Sequence, residues 1–371
     1  MSALARQMGI NPSTVSRWED GGAAPDHEAL QRLSAELNVR QEFFLRPAFE
    51  AKEPVFFRSL ASTLGRDLAY QRAQMRWLQE ISSTLEHYVD LPTLDLPDVL
   101  DGANYRQLRD EDIERIALTL RRHWGMGEGP CADVVSVLER VGFVVGSIEM
   151  GTAKLDGLCS WSPVDGRPHI LLANDKMSFP RRQMDAAHEM AHAVLHRGVT
   201  DEEFAADLKA IEAQAFRLAS AFLMPSTTYP IEVKTRSLAH LLTLKERWRV
   251  SIKAQIRRLA DLELITPDYA IQMYKLYSAK GWSREEPLDQ QWKLSEPRVL
   301  RDAMQLIVDE RVRTKEDLLA VEFAINARDI ENLCGLPRDW FNRDPAEVVR
   351  LKPTSRPPMI QDGAVVPFRR R

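Results

Sequence analysis

The sequence predicts an α+β fold: a helical N-terminal helix-turn-helix module, a mixed domain with a small sheet and an H-E-x-x-H helix, and a helical C-terminal region. Three observations predict it. Two short helical patterns separated by Gly9 open the chain. Three apolar runs between residues 143 and 173 have the length and composition of strands. An apolar helical pattern, uninterrupted by Gly or Pro, then covers residues 181–197.

Composition limits the classes of protein that remain. A length of 371 residues predicts two or three domains, and 44% hydrophobic with 28% charged residues is typical of a globular protein. The net charge of −4 gives no overall attraction to nucleic acid or to an anionic membrane. Three distant cysteines, Cys131, Cys159 and Cys334, argue against a disulfide framework or a cysteine metal site. No apolar run approaches 18 residues and no signal peptide is recognisable, so we expect a cytoplasmic protein that does not span a membrane.

The first 47 residues have a helix-turn-helix layout. Gly9 ends the first helix, Asn11 caps the second, and Pro12 occupies its first position. The segment resembles the XRE (Cro-type) DNA-binding domain, with residues 12–19 as the recognition helix. That resemblance implies that five side chains face the DNA, namely those of Asn11, Ser13, Thr14, Ser16 and Arg17.

Two features predict weak DNA binding by this chain alone. The XRE domain has a further helix before the pair, so we expect the module to be partial. Residues 1–40 carry four basic and five acidic side chains, although phosphate contacts dominate affinity for DNA. A small helical module for protein contacts is the alternative interpretation.

Residues 48–105 are predicted to be a helical linker. A hinge covers 47–54, and a long helix with one apolar side covers 63–89. This helix could space the flanking domains or form the seam of a homodimer.

The mixed domain is predicted for residues 106–230. Helices over 111–124 and 132–141 precede strands over 143–148, 157–161 and 169–173. An edge strand of this sheet could hold a peptide substrate in extended form, and we favour 157–161 or 167–173 for that role.

The helix over 181–197 contains H-E-x-x-H as His188, Glu189 and His192. Residues four apart lie on one helix face, so both histidines can reach one ion, and Glu189 can act as general base on a water there. A chance occurrence is the alternative, but a helix this apolar is buried, and buried polar groups need partners or a metal.

Glu212 is the predicted third ligand. It opens a second apolar pattern over 211–224, and it shares a stripe with the small residues Ala215 and Ala219. Leu195 and Gly198 stand where the metzincin extension needs Gly and His, which excludes that class. The alternative is that Glu212 is a solvated residue at a helix start.

The segments 181–196, 212–215 and 222–225 together resemble the ImmA/IrrE metallopeptidases, over roughly 110–260. The resemblance implies a zincin-like domain with Zn²⁺ held by His188, His192 and Glu212, and Glu189 as the catalytic acid/base. It also implies a specific protein substrate, such as a repressor or an antitoxin. A second donor to the developing oxyanion is not identifiable, and the candidates are His196, Tyr229 and His240. With respect to the metal, His196 is interpreted as a structural residue rather than a ligand.

The remaining chain is predicted to be helical over 231–344 and a flexible tail over 345–371. Residues 244–258 have a basic, turn-like layout that could be a second helix-turn-helix, although a packing role is favoured. Three functions stay open: a zinc metallo-endopeptidase with a DNA-binding module, a transcriptional regulator that uses the peptidase fold as a sensor, and a toxin–antitoxin or phage component that acts through protein contacts.

Overall fold

The computed structural model describes residues 2–46, 55–57, 65–150, 156–175 and 178–342. The strands are β1 Val55–Phe57, β2 Val144–Ile148, β3 Gly157–Trp161 and β4 Pro168–Ala173. The helices are α1 Ser2–Met8, α2 Pro12–Glu19, α3 His27–Leu37, α4 Gly65–Leu85, α5 Asp110–His123, α6 Val134–Arg140, α7 Phe179–Leu195, α8 Asp201–Leu223, α9 Tyr229–Glu232, α10 Leu238–Trp248, α11 Ile252–Asp261, α12 Pro267–Ala279, α13 Val299–Asp309, α14 Lys315–Asp317 and α15 Ala327–Cys334. Shorter 3₁₀ turns cover Gln41–Phe44 and Tyr105–Gln107, and a π-helical turn covers Leu318–Glu322. The α+β prediction is confirmed.

The N-terminal module begins its helices where the sequence predicts. The side chain of Asn11 accepts a hydrogen bond from the backbone N–H of Ser13, and that of Asp26 accepts one from Ala29, so α2 and α3 are both capped. Gly9 ends α1 with a φ of +63°, a conformation that favours glycine. Val15 is buried in the module, whereas Trp18 is only half-buried.

Among the residues that the structure describes, the sheet has four strands in the order β1-β3-β4-β2. Strands β2 and β4 are parallel, while β3 is antiparallel to both of its neighbours. The prediction that β3 or β4 offers a free edge to a peptide is therefore wrong. β4 is an inner strand, and β1 pairs with β3 over Leu158–Ser160, so that β1 and β2 form the edges.

Helices cover both faces of the sheet. One face packs against α7 through residues such as Val145, Cys159 and Ile170. The other face, with Val144, Leu158 and Leu171, packs against α4, α13 and α15. Met75, Leu78, Ile81 and Leu85 of α4 are thus buried inside the chain, which leaves these four residues no part in a homodimer seam; a homodimer stays a prediction.

A buried polar contact joins α4 to the sheet. The Ser82 hydroxyl lies 2.7 Å from Nε2 of His169 on β4, and both side chains are fully buried. Burial lowers the pKa of His169 to about 4, because an imidazolium there would lose its hydration. His169 is therefore neutral near pH 7, and one of its ring nitrogens stays available to the Ser82 hydroxyl.

The N-terminal module is attached to the C-terminal helices by directional bonds. The backbone N–H of Arg40 donates to the Ala324 carbonyl at 3.2 Å. The side-chain amide of Asn326 donates to Oδ1 of Asn38 at 3.0 Å. Nη1 of Arg46 donates to the Glu322 carbonyl at 2.6 Å. These bonds fix the segment after α3 against the π-helical turn and the residues that follow it.

Two basic residues of helices α10 and α11 are buried in ion pairs rather than presented to solvent. Lys245 is fully buried and lies 2.8 Å from Glu286 and 2.6 Å from Asp289. Arg258, also fully buried, pairs with Glu114 through both terminal nitrogens. The packing role favoured for residues 244–258 agrees with these contacts.

Some predictions fall outside the described residues, namely the hinge at 47–54 and the tail at 345–371. The predicted domain boundaries stay predictions, although helices from 65–85 and 299–334 share one core with the sheet. Among the described residues, no helix has both the length and the apolar character needed to cross a membrane.

Candidate metal centre

Helix α7 carries the H-E-x-x-H motif through the middle of the core. Pro180 lies in its first turn, where the backbone N–H that proline lacks would have no helical partner. After the helix ends at Leu195, Gly198 adopts a φ of +87°, which favours glycine. Ala186, Ala187 and Ala191 are fully buried, so neighbouring elements approach the helix closely. The motif side chains are consequently held in a dry environment.

Helix α8 brings Glu212 to that motif. It begins at Asp201, ten residues before the predicted start, behind a capping box in which Thr200 and Glu203 bond reciprocally. Glu212 therefore lies inside a helix, and the alternative of a solvated helix-start residue is wrong. Ala215 and Ala219 are fully buried, as expected for residues that let α8 approach α7.

His188, His192 and Glu212 form a compact group of three potential ligand atoms, all within 4.8 Å of one another. Nε2 of His188 and Nε2 of His192 are 3.1 Å apart. The Glu212 oxygens lie 3.4 Å from each of them. Ligands about 2.0–2.1 Å from a tetrahedral ion stand about 3.3 Å apart. The donor set and its spacing thus fit a metal ion, and the predicted convergence of the two helices is confirmed.

The charge of Glu212 suits that role. Burial alone would raise its pKa, but the interactions of the carboxylate with the imidazoles of His188 and His192 outweigh burial and lower the pKa to about 2. The carboxylate is therefore ionised near neutral pH and faces two imidazoles.

Glu189 lies against strand β3. The side chain is 2% exposed, and a Cβ added at Gly157 would stand 2.8 Å from its Cγ. Only a residue without a side chain leaves that room. Sequence reasoning did not single out Gly157, although a glycine inside a strand often marks a close approach.

An open cavity of about 490 Å³ adjoins this centre. Its lining includes Met184 one turn before His188, and Phe216, whose ring centroid is 4.4 Å from that of His188. Tyr274, Tyr277 and other residues of the C-terminal helices complete the wall. Met184 and Phe216 thus lie between the cavity and His188, which does not itself line the cavity.

The residues considered as oxyanion donors divide into two groups. His196 lies next to the cluster, with its Nδ1 3.1 Å from Nδ1 of His192, and burial lowers its pKa to about 3. Tyr229 donates instead to Gln255, and the His240 ring contacts the backbone of Lys234 and Glu232. In the part of the chain that the structure describes, neither Tyr229 nor His240 is brought to the cluster.

The residues predicted to face DNA lie on one accessible side of the N-terminal module. Asn11, Ser13 and Arg17 are exposed, and Thr14 and Ser16 are half-buried. The Asn11 side chain is committed to capping α2, while the Ser16 hydroxyl donates to Asp20 at 3.2 Å. Their role in binding DNA stays a prediction.

Comparison with known families agrees with both halves of this description. Residues 138–260 match the peptidase M78 family model, described as the IrrE N-terminal-like domain. The cluster of His188, His192 and Glu212 lies within these matched residues. Residues 1–42 match a helix-turn-helix family model of the XRE type. The chain thus matches a peptidase family model and a helix-turn-helix family model in two separate segments. The M78 match ends where the predicted resemblance ends but begins 28 residues later than predicted.

Proposed function

We propose that this protein is a zinc metallo-endopeptidase coupled to a DNA-binding module. The observation that carries the proposal is the convergence of His188, His192 and Glu212, with Glu189 next to the first histidine. Two histidines and one carboxylate are a ligand set typical of catalytic zinc, because they leave a fourth position for water or substrate.

Each side chain has a distinct task. His188, His192 and Glu212 hold the metal; a bound zinc ion supplies Lewis-acid polarisation of the peptide carbonyl and activation of water. Glu189 takes the proton of the attacking water and returns it to the leaving amine, and general acid–base catalysis of this kind accelerates reactions about 10²–10⁴-fold. Gly157 keeps space for the Glu189 carboxylate beside β3.

The substrate we propose is a specific protein regulator, such as a repressor or an antitoxin. The IrrE-like family match supports a peptidase, and the attached module supports a task in gene regulation. Substrate would enter the cavity lined by Met184 and Phe216, since the Phe216 ring in its wall packs against the His188 ring.

The N-terminal module would contact DNA through Asn11, Ser13, Thr14, Ser16 and Arg17. Their position around the exposed side of α2 supports this assignment. A single module with no excess of basic residues binds weakly, so a homodimer on a two-fold site is the arrangement that would give useful affinity.

Metal analysis tests the proposed centre. Mass spectrometry on the full chain, purified without added metal, should give close to one zinc per chain, and His188→Ala should lose it. His240→Ala is the matched control, because that histidine is bonded elsewhere. Full zinc content in His188→Ala would contradict the proposed ligand set.

A second candidate function is a regulator that uses the peptidase fold as a sensor. The bonds of Arg40, Asn38 and Arg46 to the C-terminal helices favour it, because they would transmit a change in the core to the N-terminal module. A reporter operon in cells that carry Glu189→Gln separates the two functions. Wild-type regulation by that variant would favour the sensor; loss of regulation would favour proteolysis.

A further inference from the structure

His196 occupies a bridging position behind the proposed metal ligands. It lies one turn beyond His192, at the end of α7, and its ring is fully buried. Its Nδ1 is 3.1 Å from Nδ1 of His192. Its Nε2 is 3.1 Å from Oε1 of Gln214, which lies on α8 two residues after Glu212. The ring therefore touches one proposed ligand and the helix that supplies another.

A backbone carbonyl determines the direction of these bonds. Nε2 of Gln214 donates to the carbonyl oxygen of Tyr105 at 2.8 Å. A carbonyl can only accept, so this end of the amide must be the NH₂ group, and the other end must be the acceptor Oε1. A flipped amide would place two acceptor oxygens 2.8 Å apart.

The direction of the Gln214 hydrogen bond determines which ring nitrogen carries the hydrogen in His196 and in His192. Since Oε1 of Gln214 accepts, Nε2 of His196 must carry the hydrogen. A neutral imidazole has one N–H, so Nδ1 of His196 is an acceptor and takes a hydrogen bond from Nδ1–H of His192. That leaves the lone pair of His192 on Nε2, the atom that faces Nε2 of His188 and the Glu212 carboxylate.

We propose that Gln214 and His196 are positioning residues that present Nε2 of His192 to the metal. The proposal rests on the proposed function, because it assigns a task to residues behind its ligand set. The order of the relay is the Tyr105 carbonyl, the Gln214 amide, the His196 ring and the His192 ring. Tyr105, the first member of the relay, is held in place by two contacts. Its hydroxyl donates to Asp207 at 2.7 Å, and its ring packs edge-on against the His196 ring. Hydrogen bonds that orient a ligating histidine typically change metal affinity about 10–100-fold when they are lost.

The chain offers a matched control for simple loss of packing. Gln183 is a buried amide on α7 whose Oε1 accepts from Val134 and whose Nε2 donates to the Cys131 carbonyl. Gln183→Met and Gln214→Met therefore each remove two hydrogen bonds of one amide. Only Gln214→Met interrupts the relay.

The first test locates protons by histidine-selective ¹⁵N NMR on the metal-free full chain. The wild type should carry hydrogen on Nδ1 of His192 and on Nε2 of His196. Gln214→Met should lose this preference, whereas Gln183→Met should keep it. A wild type in which Nδ1 of His192 bears no hydrogen would overturn the proposal.

The second test measures Zn²⁺ affinity by competition with a chromophoric chelator. Gln214→Met and His196→Leu should weaken binding about 10–100-fold, and His196→Asn should be closer to wild type because its amide oxygen can replace the acceptor Nδ1. Equal weakening by Gln183→Met and Gln214→Met would contradict the relay. If the wild type bound no zinc, the proposed function would fail, while the NMR experiment would still decide the relay.

Discussion

Gly157 on β3 and Glu189 on α7 are in such close contact that a methyl group at position 157 would lie 2.8 Å from Cγ and 2.9 Å from Oε1 of the carboxylate side chain. Atoms at that distance repel, and the backbone of β3 is fixed by pairing with β1 and β4. The Glu189 side chain would have to move.

Gly157→Ala should therefore lower the rate of substrate cleavage by about 10²-fold, the effect of displacing a catalytic group by about 1 Å. Zinc content should be unchanged, since no proposed ligand touches the new methyl group. Gly146→Ala is the control, because its methyl group would meet Leu78 and Leu333 instead. It should reduce thermal stability and leave the cleavage rate per folded molecule unaltered. Equal loss of activity in both variants would contradict a specific role for Gly157.

Glu189→Gln should reduce cleavage by about 10²–10⁴-fold and keep both fold and zinc. The glutamine side chain preserves the shape of the glutamate but cannot take up a proton. By contrast, His192→Ala should lose zinc and stability together, because it leaves neighbouring buried polar groups without a partner. Cleavage assays with parallel metal analysis check both outcomes. Loss of zinc from the Glu189→Gln variant would mean that the carboxylate belongs to the ligand set.

The stability of the metal-free chain should fall more steeply in acid because of His169. Its folded-state pKa of about 4 lies below the value of about 6.5 expected in the unfolded chain. The unfolded state therefore binds the extra proton, so this contribution is complete above pH 6.5 and is lost as pH falls towards 4, at up to about 1.4 kcal/mol per pH unit.

Denaturant titrations of wild type, His169→Gln and His87→Gln between pH 7 and pH 4 measure this contribution. His169→Gln should be less stable at pH 7 and show a shallower decline, whereas the exposed His87 should have no such effect. Parallel curves for wild type and His169→Gln would show that His169 does not contribute.

DNA binding by the purified chain should be weak and should decrease with salt. Arg17 is exposed on α2, and loss of one phosphate contact reduces the slope of log K against log salt by about 1. Fluorescence anisotropy on duplex DNA at several salt concentrations should give this reduction for Arg17→Ala. Lys275→Ala removes an exposed charge on α12 and should leave the slope unchanged. Tight, sequence-specific binding at physiological salt would contradict the expectation.

The elements that depend on local signals could be predicted from sequence. The Asn11 cap, the strand Gly157–Trp161 and the His188–His192 spacing all reside within a few consecutive residues. The start of α8 has such a signal as well, in Thr200 and Glu203, but its polar first turns lack the apolar periodicity that identifies a buried helix.

Long-range relationships could not be predicted in this way. Strand β1 has three residues, and its partner β3 lies about 100 residues further along the chain, so no local pattern specifies that pairing. Alternating or apolar runs identify strands without giving their order, and for that reason the prediction of β3 as an edge strand is wrong. The contact between Gly157 and Glu189 has the same origin, because it exists only once β3 has packed on α7.

The sheet face formed by Val144, Leu158 and Leu171 has a consequence for the genetics of this protein. Its cover comes from α4, α13 and α15, all outside residues 138–260. A gene fragment limited to that range would encode a product with a bare apolar face, which favours aggregation. Conversely, a screen for loss of function should recover substitutions such as Leu333→Asp in α15 alongside substitutions at His188. Leu333 is fully buried, and a charge there would disrupt the packing of α15 on the sheet. Null alleles will thus map well beyond the peptidase motif.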